Sequence, residues 1–199
     1  KRIKLYHIKN GVTLLAPNST YIFINVKIAK DVVVEPNVFL GNNVVLKSNV
    51  RVKSNSYIED TFINSFSEVG PTCRIRKNTK LGRNVKVGNF VEIKNSKIGN
   101  NTKINHLAYI GDTTIGTNSN IGAGTITCNY DGINKNKTTI GNNVFIGSNC
   151  SLIAPINIGS KSFIAAGSTI SNNVNNSDFS IARPKQQIIK GGRRKFLKV

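Results

Sequence analysis

The sequence predicts an all-β protein wound as a parallel β-helix, and three observations carry that expectation. Aliphatic residues recur every six positions, from Ile28, Val34, Leu40, Leu46, Val52 and Ile58 onward to Ile158, Ile164 and Ile170. All 23 positions of this grid are Ile, Leu or Val, and 11 of them are followed directly by Gly. Neither a helical period of about 3.6 nor the two-residue alternation of a strand repeats every six. One short strand plus one corner does, which makes the hexapeptide the unit of a β-helix coil. The third observation is that 11 of the 23 positions three residues past a grid residue are Asn, among them Asn37, Asn43, Asn84 and Asn143. Asn tolerates the left-handed backbone region better than other residues with a side chain, so a recurrent Asn marks a tight corner. Handedness does not follow from the spacing; ordinary parallel crossovers are right-handed.

Taken in order, residues 1–20 precede the clean grid, and Gly11 to Pro17 (GVTLLAP) reads as a lead-in strand or linker. Residues 21–170 form the β-helix, in coils of three hexapeptides. Spacing shrinks to five at Ile58 to Ile63, Ile93 to Ile98 and Ile110 to Ile115, slips that a corner can absorb. Between Ile121 and Ile140 the grid fails, and residues 127–139 (TCNYDGINKNKTT) are expected to leave the helix as an extruded loop. Such loops usually line the binding face of a solenoid. Residues 171–199 form a basic tail expected to cover the open end of the last coil or a neighbour.

Composition narrows the function. The chain has 199 residues, few aromatics and neither Trp nor Met, which suits a stack of small aliphatic side chains better than a bulky core. The missing Met also suggests a piece of a longer protein. No apolar run is long enough to cross a bilayer and no segment reads as a signal peptide. Three Cys at scattered spacings show no disulfide or metal pattern, which fits a reducing cytoplasm. Cys73 and Cys150 fall four residues past a grid residue, where Val44 and Val85 also stand, and should point inward as small core fillers. The net charge of +19 raises nucleic acid as a partner. The Lys and Arg residues are scattered, however, without the stripe and interleaved aromatics of a nucleic-acid face. Small phosphorylated molecules fit the charge better.

Two His occur. His7 lies in the lead-in, and His106 lies two residues after Ile104, at a corner where its side chain should face outward. The stretch Asn105 to Tyr109 (NHLAY) comes one coil before Asn120 to Gly132 (NIGAGTITCNYDG), so the two should be stacked neighbours. An imidazole beside a polar loop makes a good general base. Three His for a zinc site are not available.

The segments GNFVEIK (Gly88 to Lys94), HLAY (His106 to Tyr109), NIGAGTITCNYDG and the Lys135 to Thr138 stretch closely resemble the acetyltransferase domain of the bacterial bifunctional N-acetylglucosamine-1-phosphate uridylyltransferase/glucosamine-1-phosphate acetyltransferase. The resemblance covers nearly the whole chain. It implies a left-handed parallel β-helix, a homotrimer with sites between subunits, and a cytoplasmic enzyme moving acetyl from acetyl-CoA to the amine of glucosamine 1-phosphate. The product would feed UDP-N-acetylglucosamine, a precursor of peptidoglycan and lipopolysaccharide. By the same resemblance His106 is the catalytic base, Arg76 and Lys94 hold the sugar phosphate, and Tyr109 and Asn120 contact the sugar. Ala123, Asn129, Tyr130, Ser148, Ala166 and Arg183 match acetyl-CoA contacts, and Lys135 is placed to reach a neighbouring subunit. From the residues alone, Arg74 and Lys77 are alternatives for the phosphate grip. Asn129 and a backbone amide near Tyr130 are alternatives for an oxyanion contact. The chain departs from the family at Ala108, where Thr or Ser is usual, and at Lys77, where Pro commonly stands. The Gly-rich motif and magnesium carboxylates of the nucleotide-transfer domain have no counterpart here, so magnesium belongs only to that domain.

Overall fold

The structure, a computed structural model, describes residues 2–193. Each coil of the chain visits three parallel sheets in turn, called here faces A, B and C, of ten, nine and eight strands. Most strands are only two or three residues long. Their register is set by the grid: Val69 pairs with Val87 on face A, Ile75 with Ile93 on face B and Leu81 with Ile98 on face C. Because each grid residue points inward, identical positions of successive coils stack into one aliphatic column per face. Every grid residue except the half-buried Ile28 is buried. At roughly 1.5–3 kcal/mol for each buried aliphatic side chain, this column is the main source of stability. Cys73 and Cys150 are buried in the core beside these columns, as their inward position requires.

The corners follow their residues. Asn37, Asn43, Asn49, Asn55, Asn78, Asn84, Asn101, Asn118, Asn143 and Asn149 all have positive φ. Some also bond along the stack: Asn84 Nδ2 donates to Asn101 Oδ1 at 3.0 Å, and Asn101 Nδ2 to Asn118 Oδ1 at 2.9 Å. All three five-residue slips lie at the corner from face B to face C. There the left-handed residue moves one place earlier, to Asp60, Asn95 and Asp112. The next residue is a buried Thr or Ser in each case. Thr61 Oγ1, Ser96 Oγ and Thr113 Oγ1 each donate to the carbonyl two residues back, at 2.7 Å. A side-chain hydroxyl thus completes the turn that the missing residue would have made.

The ends extend further than the grid. Within the lead-in, Arg2–Lys9 form an α-helix. It ends with Gly11 at φ +84, where Gly11 N donates to Ile8 O and Val12 N to His7 O, a Schellman-type stop. The coil itself starts at Thr13–Leu14, which pairs with Val33 and Val34 on face A. At the other end Phe179–Ser180 adds a further strand to face A beside Phe163 and Ile164. Residues 194–199 of the basic tail lie outside the described residues.

Candidate active site

Two lines of side chains run down the outside of the coil, one at each edge of face B. At the corner from face A to face B the register stacks Asn89, His106, Ala123, Ser148 and Ala166, because Val87, Ile104, Ile121, Ile146 and Ile164 pair in that order. His106 is exposed, and its Nδ1 lies 2.8 Å from Asn89 Oδ1. With the Asn89 carbonyl oxygen as acceptor, Nδ1 is the donor of this bond, which in a neutral imidazole leaves the Nε2 lone pair free. Below it the column is small. Coils stack about 4.8 Å apart, so from His106 to Ala166 it runs roughly 14 Å with nothing larger than Ser in the way. Arg183 Nη1 returns to this line from the tail and donates to Ala166 O at 2.7 Å.

At the corner from face B to face C the stack is Arg76, Lys94, Gly111 and Cys128. Arg76 and Lys94 are therefore one coil apart. Arg76 Nη1 bonds Glu92 Oε1 at 2.9 Å, leaving the rest of its guanidinium open. Lys94 is 11% exposed, with Nζ 3.6 Å from Asp112 Oδ2. Gly111 makes room at this level: a Cβ there would stand 2.6 Å from Tyr109 Oη and 2.9 Å from Asn129 Nδ2. Tyr109 itself pairs with Glu92 above it on the outer side of face B. Asn120 lies on the neighbouring face A, paired with Lys103. Arg74 also projects from face B, paired with Glu92, with its guanidinium 6.0 Å from the centre of the Tyr57 ring.

The loop closes over this second line. Thr127 occupies the inward position where the grid expects an aliphatic residue, and its Oγ1 accepts from Gly111 N at 2.8 Å. Asn129 to Lys137 then leave the coil as a small hairpin, tied by the Tyr130–Lys135 bridge and by Asn136 N to Asn129 O at 2.7 Å. Asp131 Oδ1 accepts from the amides of Ile133 and Asn134, which holds its carboxyl below the usual range. Tyr130 is exposed, its hydroxyl on Gly132 O at 2.6 Å. Lys135 is exposed, and the Lys94 ammonium beside it depresses its pKa, with Lys77 adding to the effect. Neighbouring ammonium groups favour an anion beside them.

Three residues of this arrangement escaped the sequence reading. Asn89 and Glu92 sit in a segment that it singled out and Asp112 lies outside every such segment, and the partners of all three are 16 or 17 residues away. Phe90 and Leu107, 58% and 60% exposed, flank His106 with positive φ, an unusual state for bulky residues and a source of local strain. Ala108 is buried in the core. Among the described residues, no group of His, Cys, Asp and Glu is placed to hold a metal ion.

Comparison with known proteins agrees with this architecture. Residues 57–133 match the family model of the GMPPB C-terminal domain, and residues 137–172 match the bacterial transferase hexapeptide repeat. The chain is 51% identical over 177 residues to the bifunctional protein GlmU of Wolbachia pipientis, covering 89% of this chain and 41% of that protein. It is 49% identical over 179 residues to GlmU of Zymomonas mobilis, covering 90% and 40%. It therefore spans about two fifths of the length of these curated relatives. Among solved structures, LpxA of Bacteroides fragilis, a UDP-N-acetylglucosamine acyltransferase, superimposes with a TM-score of 0.63 at 19% identity, covering 78% of this chain and 67% of that one. That likeness concerns the fold, a left-handed parallel β-helix. Over nearly its whole length, the chain belongs to the family of the bifunctional GlmU proteins, as a counterpart of their C-terminal acetyltransferase portion.

Proposed function

We propose that this chain transfers acetyl from acetyl-CoA to the amine of glucosamine 1-phosphate, making N-acetylglucosamine 1-phosphate for UDP-N-acetylglucosamine synthesis. One observation carries the reading: an imidazole with an open Nε2 heads a column of small residues, and across face B stands a basic cluster suited to a phosphate. The column of Ala123, Ser148 and Ala166 gives the pantetheine arm a smooth bed, with Arg183 at its margin, while Asn129 and Tyr130, on the loop across face B, complete the acetyl-CoA contacts. Arg76, Lys94 and Lys135 take the sugar phosphate, and Tyr109 and Asn120 the sugar. Charge-assisted bonds to a dianion are strong and directional, so they fix where the amine lies.

The chemistry follows from that placement. A protonated amine has no lone pair, so the amine attacks in its neutral form, and His106 Nε2 takes up the proton its nitrogen sheds as the bond to the thioester carbon forms. The tetrahedral oxyanion then collapses, the C–S bond breaks, and the CoA thiolate leaves and takes that proton back from the imidazolium. Asn89 keeps the imidazole in the tautomer this needs. We assign to the working enzyme a homotrimer, with the exposed column and loop meeting a second subunit, in the cytoplasm. No helix among the described residues is long and apolar enough to cross a membrane.

The test is His106→Ala. Removing a general base costs about 100- to 10,000-fold in turnover, while CoA binding by calorimetry stays unchanged. A panel of acceptors including UDP-sugars fixes the substrate. Unchanged turnover in the variant would sink the assignment.

A further inference from the structure

We infer that Asp112 is a positioning residue that couples the two ends of this site. Its side chain is 8% exposed, and three donors from three segments converge on it. Asn129 Nδ2 donates to Oδ2 in a short hydrogen bond, Asn95 Nδ2 donates to Oδ1, and Lys94 Nζ stands 3.6 Å from Oδ2. Asn129, 6% exposed, is the first residue of the loop that carries Tyr130 and Lys135. One carboxylate therefore fastens the root of the loop to the corner that carries Lys94.

Only an acceptor without hydrogens can serve all three donors; an amide would turn its NH2 toward one of them. Burial works against the carboxylate, yet the bonds from Asn95 and Asn129 and the nearby Lys94 ammonium outweigh it and keep its pKa below the ordinary value. Its negative charge also offsets one of the two adjacent ammonium groups, so Lys94 and Lys135 can stay together without an anion. The backbone supports the same placement: Asp112 N donates to Lys94 O at 3.0 Å, with φ +51. Nothing marks Asp112 as touching substrate. It acts through Lys94 on the phosphate end and through Asn129 on the coenzyme end.

This rests on the function proposed above, and the experiment separates the two. Asp112→Gly keeps the positive φ at no steric cost. Dissociation constants for both glucosamine 1-phosphate and CoA should rise about tenfold by calorimetry, equivalent to about 1.4 kcal/mol. Asp112→Asn keeps one acceptor oxygen for Asn129 and should bring CoA affinity back toward wild type. Independently of any ligand, the side-chain amide protons of Asn129 should exchange with solvent faster in Asp112→Gly than in wild type. If the variant only melts earlier, with both affinities and the Asn129 exchange rate unchanged, the inference is overturned. A wild-type protein binding neither ligand would defeat the proposed function, while the exchange rates would still decide whether Asp112 fixes the loop.

Discussion

Gly88→Ala joins coil geometry to catalysis in a single methyl group. Gly88 lies in the strand Lys86–Asn89, directly above Asn105 of the next coil. A Cβ built there would stand 1.8 Å from the Asn105 carbonyl oxygen and 2.6 Å from its carbon. Real Cβ contacts stay beyond 3.0 Å, so the Asn105 peptide must move by at least 1.2 Å. These are backbone atoms, which cannot swing aside as a side chain can. His106 is the next residue and moves with them. Two bonds across this seam are at stake, Leu107 N to Asn89 O at 3.0 Å and His106 to Asn89 at 2.8 Å. At about 1 kcal/mol each, their loss predicts roughly 2 kcal/mol less stability. A base misplaced by about 1 Å costs on the order of 100-fold in rate. The assay is release of free CoA thiol in the presence of glucosamine 1-phosphate, with thermal unfolding alongside. Gly41→Ala is the control, because a Cβ there would meet Glu59 Cβ at 3.2 Å, Phe39 Cε1 at 3.3 Å and the Ile58 carbonyl oxygen at 3.4 Å, all beyond the 3.0 Å limit and relieved by shifts of a few tenths of an ångström. Equal stability and activity in the two variants would refute the argument that the coils stack too rigidly to admit a side chain at residue 88.

Other consequences follow from the same structure. Ile110→Ala empties a fully buried grid position behind Lys94 and should cost about 2–5 kcal/mol in denaturant unfolding. Phe90→Asn places a residue tolerant of positive φ where an exposed aromatic now sits, and should raise stability by about 1 kcal/mol in the same experiment. His7 is 2% exposed, with both ring nitrogens unpartnered, and burial lowers its pKa from 6.5. The unfolded chain therefore binds the proton more readily, so stability present above pH 6.5 should fall as the pH drops through the folded-state pKa. His7→Leu should flatten that part of the stability profile, and an unchanged profile would exclude His7 as its source.

The architecture was legible in the sequence because burial writes it there directly. Each coil must place an aliphatic side chain inside at every third of its circuit, so Ile58, Ile75, Ile93 and Ile110 declare their face without reference to any distant residue. The recurrent Asn residues declared the corners, since positive φ is a property of one residue. Thr127 was missed because a polar residue takes an inward grid place there and satisfies its hydroxyl on Gly111. The helix Arg2–Lys9 was missed because its short pattern carries little periodic signal, and its clearest mark is the Gly11 stop.

The candidate site divides in the same way. The sequence by itself determined that His106, Arg76, Lys94 and the loop belong to stacked coils, because repeat spacing fixes which residues are one coil apart. Only the tertiary structure decided that Asn89 Oδ1 lies 2.8 Å from His106 Nδ1, that Lys135 comes near enough to Lys94 to feel its charge, and that Asp112 bonds Asn129 at the corner. Those contacts depend on the path of an aperiodic loop and on corners shortened by one residue. A repeating pattern specifies what recurs, whereas a site is assembled at the places where recurrence is broken.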